Sequence, residues 1–217
     1  CCDRALRYIR NMPKTIALAW TGASGMPYGM RLLEQLLASG SQVYLMTSQV
    51  AHIVARQELN LTLPTRPQEL HAVLAERFSA AAGQLHVFGR EEWFAPVASG
   101  SNPADAMAIC PCTMGTLAAV AHGLSENLLE RAADVMLKER RTLVLVPRET
   151  PLSVIHLENM LALARAGAII LPANPGFYHE PKDIGDLVDF VVARVLDHLG
   201  VPHSLMARWG ASDATAE

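Results

Sequence analysis

The sequence predicts an α/β fold in which helices cover both faces of a parallel β-sheet. Short continuous apolar runs recur along the chain, and strands that are buried on both faces need such runs. Stretches with helical periodicity separate these runs, so strand and helix alternate. The 217 residues suit one large domain and contain no internal repeat or linker. The predicted class is therefore a single-domain, Rossmann-like (flavodoxin-like) sheet.

The predicted elements follow one another in a regular order. Strands are predicted at residues 16–20, 43–46, 107–110, 143–146 and 168–171. The first helix, 28–39, carries four leucines on one stripe and ends at Gly40, a typical C-terminal cap. Further helices are predicted at 49–59, 68–78, 113–121, 127–140, 154–166 and 184–199. Such sheets bind ligands beyond the carboxyl ends of their strands, so we expect the chemistry in the loops that follow the strands.

Composition excludes several classes of partner. Hydrophobic residues make up 51% and charged residues 18%, which gives ample material for a core. The formal net charge of −3, without a basic block, offers no electrostatic footprint for nucleic acid. No run of about 18 uninterrupted apolar residues exists, so we predict no membrane span.

The cysteines and the N-terminal segment bear on compartment and domain limits. Two of the four cysteines open the chain and two flank Pro111, without zinc-site spacing or a secretory signal, so a reduced cytoplasmic setting is expected. "MPKTIALAW" from Met12 would be a natural start. We expect residues 1–11 to be an upstream extension or cloning remnant, 12–210 to be the domain, and 211–217 a C-terminal tail.

The first unusual loop is "AWTGASGMPYG", where Gly22, Gly25 and Gly29 follow the first strand and lead into a helix. Glycines let the backbone approach a phosphate or a flavin edge, and a helix start offers free N–H groups. The G-x-x-G-x-x-x-G spacing differs from the dinucleotide fingerprint, so an NAD site is not predicted. An ordinary strand–helix turn remains an equally good interpretation of this loop alone.

The second loop, "CPCTMGTL", follows a middle strand. We expect Pro111 to stop that strand, and Thr113, Gly115 and Thr116 to open the next helix. Hydroxyl groups at a helix start are usually ordinary caps, and that interpretation is favoured when the loop is taken alone. Its position after a middle strand is what makes it a candidate.

The third loop begins where the aliphatic run "LVLV" ends in Pro147, and it places Arg148 beside Glu149. An arginine at this position can hold a phosphate bidentately. A carboxylate can act as acid or base if burial raises its pKa. A solvated loop would also explain the pair, but the strand-end position favours function.

Further candidates come from a stiff loop and two helices. "LPANPGFYHEP" offers the ring and hydroxyl of Tyr178. Arg131 and Lys138 are seven residues apart and share a helix face, and Arg194 stands among valines and a leucine. Taken singly, each cation is better explained as part of a solvated stripe or as a side chain that extends to water.

Together these loops resemble one family. The segments "TGASGMPYGMRLL", "ICPCTMGTLAAVA", "ERAADVMLKERRTLVLVPRETPLSVIHLENM" and "GAIILPANPGFYHEP" are similar to the flavin prenyltransferases (UbiX-type), over about Thr15 to Trp209. The resemblance implies metal-independent transfer of a dimethylallyl group from dimethylallyl monophosphate to N5 and C6 of reduced FMN. The product, prenylated FMN, would serve UbiD-type decarboxylases, including those of ubiquinone biosynthesis. The resemblance also implies a homo-oligomer, a dodecamer with active sites at subunit interfaces.

The resemblance assigns roles to individual residues. The flavin would contact Gly22, Ala23, Ser24, Ser48, Thr113, Met114, Gly115, Thr116 and Arg148. The donor phosphate would be bound by Tyr178, Arg194 and, across the subunit interface, Lys138. Glu149 would be the acid–base residue, with Lys138, Ser24 and Glu58 as the other catalytic candidates. Arg131, Trp93 and Trp209 would line or close the site.

The sequence departs from the family pattern in two places, and three alternatives stay open. Thr113–Met114 replaces a serine-led version of its loop, and Gln49 stands where a lysine is common. An FMN-dependent cysteine decarboxylase is one alternative, although "LPANPGFYHEP" lacks the Pro-x-Met-Asn clamp of that group. A direct decarboxylase of aromatic acids is the second. A non-enzymatic flavin carrier is the third, but it would not need the residues assigned to the donor phosphate.

Overall fold

The computed structural model describes residues 13–206 as one six-stranded sheet with helices on both faces. The strands are β1 (Thr15–Trp20), β2 (Gln42–Thr47), β3 (Leu85–Phe88), β4 (Ala106–Cys112), β5 (Thr142–Pro147) and β6 (Ile169–Ile170). Their order is β3-β2-β1-β4-β5-β6, and every neighbouring pair is parallel. This is the Rossmann strand order, and without β3 it reduces to the flavodoxin order, so the predicted fold class is confirmed.

Within residues 13–206, six α-helices connect the strands and a seventh follows β6. They are α1 (Met26–Ala38), α2 (Gln49–Leu59), α3 (Pro67–Arg77), α4 (Met114–Ala121), α5 (Leu128–Lys138), α6 (Val154–Arg165) and α7 (Ile184–Leu199), and a short 3₁₀ helix spans Pro96–Ala98. Each predicted strand and helix has a counterpart. The edge strand β3 was not predicted, because four residues that include His86 do not form an apolar run.

The expectation that Pro111 stops its strand is wrong. β4 continues through Pro111 to Cys112, which pairs with Pro147 of β5. The register shifts between Ile109 and Cys112, and such an irregularity accommodates a residue that has no N–H to donate.

The core has two layers because the strands are buried on both faces. Ile16, Leu18 and Trp20 of β1 point into the layer that contains α1 and α7. Ala17 and Ala19 point into the opposite layer, which contains α4 and α5. All five side chains are fully buried, as the continuous apolar run predicts.

Gly29 lets α1 approach the sheet closely. A Cβ atom at this position would lie 2.6 Å from the carbonyl oxygen of Cys110 and 2.9 Å from the Trp20 ring. Any side chain here would therefore push the helix away from β1 and β4.

The strand order reverses between β1 and β4, because the chain first adds β2 and β3 on one side and later β4, β5 and β6 on the other. The loops that follow β1 and β4 therefore diverge and leave a crevice at the carboxyl edge of the sheet. Within residues 13–206, no helix is both long and apolar enough to cross a bilayer.

Candidate active site

Thr21 joins the two loops at the point where strand order reverses. Its side chain is 1% exposed, and its hydroxyl donates to the carbonyl oxygen of Pro111 over 2.8 Å. The same hydroxyl oxygen accepts a hydrogen bond from the backbone N–H of Thr113 over 2.8 Å. One buried side chain thus fixes the glycine loop relative to the loop after β4. Sequence reasoning did not single it out, although a threonine directly between a strand and a glycine was visible.

Glu58 anchors the start of α1. Its carboxylate accepts hydrogen bonds from the backbone N–H of Gly25, at 2.9 and 3.1 Å, and from that of Met26, at 2.8 Å. Gly25 has a φ of 118°, a left-handed conformation that favours glycine. Because the Glu58 carboxylate already occupies this helix N-terminus, the site is not open to a phosphate. A catalytic role for Glu58 stays a prediction.

The glycine loop is held from two sides. A Cβ atom on Gly22 would lie 2.4 Å from Cγ1 of Val50, so the loop packs against the first turn of α2. From the end of β5, Nε of Arg148 donates to the carbonyl oxygen of Ser24 over 3.3 Å. Ala23, between them, is buried. The structure therefore brings Arg148 next to the segment 22–24, as the predicted flavin contacts require.

Two further predicted residues cap helices at the same edge. Oγ of Ser48 accepts from the backbone N–H of Ala51 over 3.2 Å, at the start of α2. Oγ1 of Thr113 accepts from the backbone N–H of Thr116 over 3.1 Å, at the start of α4, and donates to Oγ1 of Thr116 over 2.9 Å. The expectation of ordinary caps in the loop after β4 is thus confirmed, and Ser48 caps α2 in the same way.

The remaining residues of the α4 loop differ in what they can offer. Met114 packs its side chain into the core beside Leu117, so only its backbone can face a ligand. Gly115 has no heavy atom within 4 Å of a hypothetical Cβ, so a ligand can lie directly against its backbone. The departure of Thr113–Met114 from the family pattern therefore changes a cap and a core residue.

Glu149 is exposed in the single chain. Its Oε1 accepts a hydrogen bond from the backbone N–H of Thr150 over 3.2 Å. The buried setting that suits an acid–base role is thus not supplied by this chain alone, and bound flavin or a neighbouring copy would have to supply it.

The predicted donor-phosphate residues fall into two places. Tyr178 contacts Phe190 of α7 edge-on, with ring centroids 5.7 Å apart, and Arg194 lies one helical turn further along α7. Arg194 pairs with Asp197 over 2.8 Å. Tyr178 therefore packs against the helix that carries Arg194.

Lys138 lies elsewhere in the single chain. It is the last residue of α5, pairs with Glu139 and precedes β5, whereas Arg148 follows β5. A strand of six residues spans roughly 20 Å at about 3.3 Å per residue. Lys138 therefore lies at the amino end of β5 and Arg148 at its carboxyl end. This separation is consistent with the expectation that Lys138 acts across a subunit interface.

No hydrogen bond or ion pair joins Arg131 or Trp93, which were expected to line or close the site, to the glycine loop or to Arg148 within residues 13–206. Nε of Arg131 donates to the carbonyl oxygen of Ala98 over 3.0 Å, and its NH1 pairs with Asp134 over 2.7 Å. Trp93 is 44% exposed. Trp209 lies outside the described residues.

The two cysteines of β4 are unsuited to nucleophilic chemistry. Both thiols are fully buried, and burial raises the pKa of each, to about 12 for Cys112. The negative charge that Cys112 would carry raises the pKa of Cys110 further. Across residues 13–206, no cluster of three or more His, Cys, Asp or Glu side chains comes together to hold a metal ion.

The glycine loop, the capped helix starts and Arg148 together define a flavin- or nucleotide-binding protein with its site at the switch point of an α/β sheet. Residues 7–196 match the family described as Flavoprotein. The chain is 57% identical over 198 residues to "Flavin prenyltransferase UbiX" of Pseudomonas aeruginosa, covering 91% of this chain and 95% of that protein. It is 48% identical over 200 residues to the UbiX protein of Methanothermobacter thermautotrophicus, covering 92% and 97%.

Solved structures agree. The complex of AnUbiX (PadA1) with FMN and dimethylallyl pyrophosphate superposes with a TM-score of 0.80 at 41% identity, covering 91% of this chain and 98% of that chain. The chain therefore belongs to the UbiX family of flavin prenyltransferases, and the resemblance found in the sequence is confirmed. A cysteine decarboxylase, TvaF, shares only the fold, at 16% identity and a TM-score of 0.55.

Proposed function

We propose that the chain transfers a dimethylallyl group from dimethylallyl monophosphate to N5 and C6 of reduced FMN, and so makes prenylated FMN. The observation that carries this proposal is the meeting of Arg148 with the glycine loop at Ser24, directly beside Glu149. The relatives named UbiX support it, and the AnUbiX complex contains both kinds of ligand that the reaction requires.

The residues at the switch point fit FMN. The backbone at Gly115 is open to a flat ligand, and the hydroxyl-capped starts of α2 and α4 supply N–H donors. Arg148 supplies a fixed positive charge next to Ser24. The glycine loop itself is held rigidly by Val50 and Glu58, so it would form one wall of the flavin site.

When bound, reduced FMN supplies the nucleophilic atoms N5 and C6. Forming the bond to N5 would break the donor's carbon–oxygen bond and release the N5 proton, and closing the ring at C6 would need a proton added to the prenyl double bond before C6 loses its own proton. The carboxylate of Glu149, next to Arg148 in the sequence, would accept and return these protons. The released phosphate can take a proton as well. Glu149 would therefore act as the acid–base residue beside the reacting centre.

The donor's carbon–oxygen bond breaks with both electrons leaving on phosphate, so the site must stabilise negative charge. One guanidinium at about 4 Å from a phosphate charge contributes about 4 kcal/mol at an effective dielectric constant of about 20, and desolvation cancels part of this. Arg194 of α7 and the hydroxyl of Tyr178, whose ring packs against α7, would stabilise this negative charge. Lys138 would come from a neighbouring subunit. Trp93 and Trp209 would shelter the five-carbon tail, whose burial contributes about 4 kcal/mol at about 0.8 per carbon.

The reaction is proposed to occur in a homo-oligomer, a dodecamer, in the cytoplasm. The outer face of α6 supports assembly, because Val154, Leu157 and Leu161 are 69%, 51% and 50% exposed on one stripe. A UbiX-like protein from Escherichia coli O157:H7, 40% identical to this chain, is described as dodecameric. The product would be passed to a UbiD-type decarboxylase, as in ubiquinone biosynthesis.

Direct decarboxylation of an aromatic acid is the second candidate. Two similar structures are described as decarboxylases, the E. coli protein and a phenylacrylic acid decarboxylase from Aquifex aeolicus at 35% identity. Purified protein incubated with FMN and an aromatic acid should release no carbon dioxide if prenyl transfer is the sole activity. A cysteine decarboxylase and a non-enzymatic carrier predict no prenylated flavin at all.

The deciding experiment is anaerobic incubation of the protein with reduced FMN and dimethylallyl monophosphate, followed by mass analysis of the flavin. We expect a gain of one dimethylallyl unit. Glu149→Gln should lower turnover by about 100-fold or more, the usual contribution of a general acid–base group. Glu76→Gln, on the exposed face of α3, is the matched control. Full turnover by Glu149→Gln would show that the acid–base assignment is wrong.

A further inference from the structure

One face of α7 carries the ring that packs against Tyr178 and the cation assigned to the donor phosphate, and it continues to a carboxylate. Phe190, Arg194 and Asp197 follow one another at spacings of four and three residues, so they share that face of the helix. NH1 of Arg194 donates to Oδ2 of Asp197 over 2.8 Å. Asp197 is therefore the direct neighbour of a residue to which the proposed function gives a task.

Asp197 stands where a carboxylate does not favour the helix. α7 ends at Leu199, and Gly200 follows it in the left-handed conformation, with a φ of 64°. A negative charge in the last turn of a helix opposes the macrodipole, which favours cations there. An exposed ion pair between residues three apart adds little to stability. Helix stability alone therefore does not explain the carboxylate at this position.

A histidine holds the same carboxylate from another side. His203 follows the turn at Gly200, and its Nε2 lies 3.3 Å from Oδ1 of Asp197. Nδ1 of His203 accepts a hydrogen bond from the backbone N–H of Leu205 over 3.4 Å. Because Nδ1 then carries no proton, the hydrogen of the neutral ring is on Nε2 and is donated to Asp197. The two oxygens of Asp197 thus have different partners, one on α7 and one in the segment after it.

The contact with Asp197 leaves one edge of the Arg194 guanidinium open. Nε and NH2 lie along that edge, which can donate two parallel hydrogen bonds to a phosphate. Within residues 13–206, NH1 is the one nitrogen of this guanidinium that has an acceptor. A guanidinium that is already fixed loses less freedom when it binds a ligand than a mobile one does, and the difference contributes to affinity.

We propose that Asp197 is a positioning residue, which fixes the guanidinium of Arg194 so that its open edge meets the phosphate of the prenyl donor. The inference rests on the proposed function, which places the donor phosphate at Arg194 and Tyr178. The negative charge of Asp197 weakens the attraction between Arg194 and the phosphate, so the gain from orientation has to exceed that loss. The two effects predict opposite results when the carboxylate is removed.

The test measures the binding of dimethylallyl monophosphate to the full chain loaded with oxidised FMN. The donor is not consumed there, because the proposed reaction requires reduced FMN. Isothermal titration calorimetry gives the dissociation constant for the wild type, Asp197→Ala and Asp197→Asn. We expect Asp197→Ala to weaken donor binding about three- to tenfold, because the phosphate must then order a mobile guanidinium. Asp197→Asn keeps an acceptor oxygen and should stay within about twofold of the wild type.

A double-mutant cycle shows whether Asp197 acts through Arg194. Arg194→Gln should weaken donor binding by itself, and Asp197→Ala should add no further loss in that background, since the group that it positions is gone. Glu69→Ala is the matched control, because Glu69 forms an ion pair of the same spacing with Arg66 at the start of α3, over 3.0 Å. It should leave donor binding unchanged. The melting temperature and FMN affinity of Asp197→Ala should equal those of the wild type, because exposed pairs add little stability.

Four outcomes would overturn the proposal. Donor binding by Asp197→Ala that equals or exceeds that of the wild type would show that the carboxylate is neutral toward the phosphate or competes with it. Wild-type donor binding in Arg194→Gln would remove the phosphate from this arginine. A further loss of equal size in the double variant would mean that Asp197 acts by another route, and a matching loss of FMN affinity would indicate a general defect.

The proposed reaction is judged separately. If the wild type binds the donor and Asp197→Ala weakens that binding, but reduced FMN yields no prenylated flavin, the reaction is wrong and this inference stands. If prenylated flavin forms and Asp197→Ala binds the donor as the wild type does, the reaction stands and this inference is wrong.

Discussion

Replacing Glu58 should loosen the start of α1 without unfolding the chain. The Glu58 carboxylate accepts hydrogen bonds from the backbone N–H groups of Gly25 and Met26, and Gly25 has no side chain with which to cap the helix. Loss of an N-terminal cap costs about 1 kcal/mol, and loss of a negative charge at a helix start costs about 0.3–1 kcal/mol. Glu58→Ala should therefore cost about 1–2 kcal/mol locally. Glu58→Gln, which keeps a neutral acceptor, should cost about half as much.

Hydrogen exchange measures this effect at the right place. A local cost of about 1–2 kcal/mol raises the open population about 5- to 30-fold, so a peptide covering residues 21–30 should exchange faster by that factor in Glu58→Ala. Glu76→Ala is the matched control, because Glu76 also stands one residue before the end of its helix, but within residues 13–206 its carboxylate accepts no hydrogen bond from the start of another helix. If residues 21–30 exchange at the wild-type rate in Glu58→Ala, or equally fast in both variants, the capping role is refuted.

Three further predictions concern the core and the start of α4. Gly29→Ala should lower the melting temperature by several degrees, because its Cβ would meet Cys110 and Trp20, and overpacking costs about 1–3 kcal/mol. In Gly115→Ala the added Cβ atom has no heavy atom within 4 Å, so this variant should keep the wild-type melting temperature and bind flavin more weakly. Alkylation of Cys112 at pH 8 should be at least about a thousandfold slower in the native protein than in denaturant, because a pKa of about 12 leaves almost no thiolate; peptide mapping by mass spectrometry measures it.

Each of these has a contrary outcome. Equal melting temperatures for the Gly29→Ala and wild-type proteins would mean that α1 can move away from the sheet at little cost. A melting loss in Gly115→Ala would show that this glycine serves the fold as well as the ligand. Rapid native alkylation of Cys112 would mean that β4 opens readily or that its thiol is less buried than the structure indicates.

The sequence predicted elements well where local apolar runs specify them and less well where distant contacts set a boundary. The first helix was predicted from residue 28, whereas α1 begins at Met26. Its start is fixed by Glu58, which is 32 residues away from Met26 and belongs to another helix. Nothing in the local periodicity contains that contact. The same holds for β4. Pro111 was expected to end this strand, but pairing with β5 continues to Cys112.

The candidate site shows the same division. Residues in long family-like segments, such as Arg148 and Ser24, could be named from the sequence, and the structure brings these two together. Thr21 was not named, because its importance depends on what lies beside it in space.

The proposed site divides between the chain and its neighbours. The residues assigned to FMN all lie at the carboxyl edge of one sheet, where Thr21 and Arg148 bind the loops together. Lys138, which is assigned to the donor phosphate, lies at the amino ends of the strands and pairs with Glu139. Under the proposed assignments, one chain would bind flavin by itself, and a neighbouring copy would complete the charge that stabilises departing phosphate. We therefore predict that flavin affinity depends on the fold of one chain, whereas prenyl transfer depends on assembly.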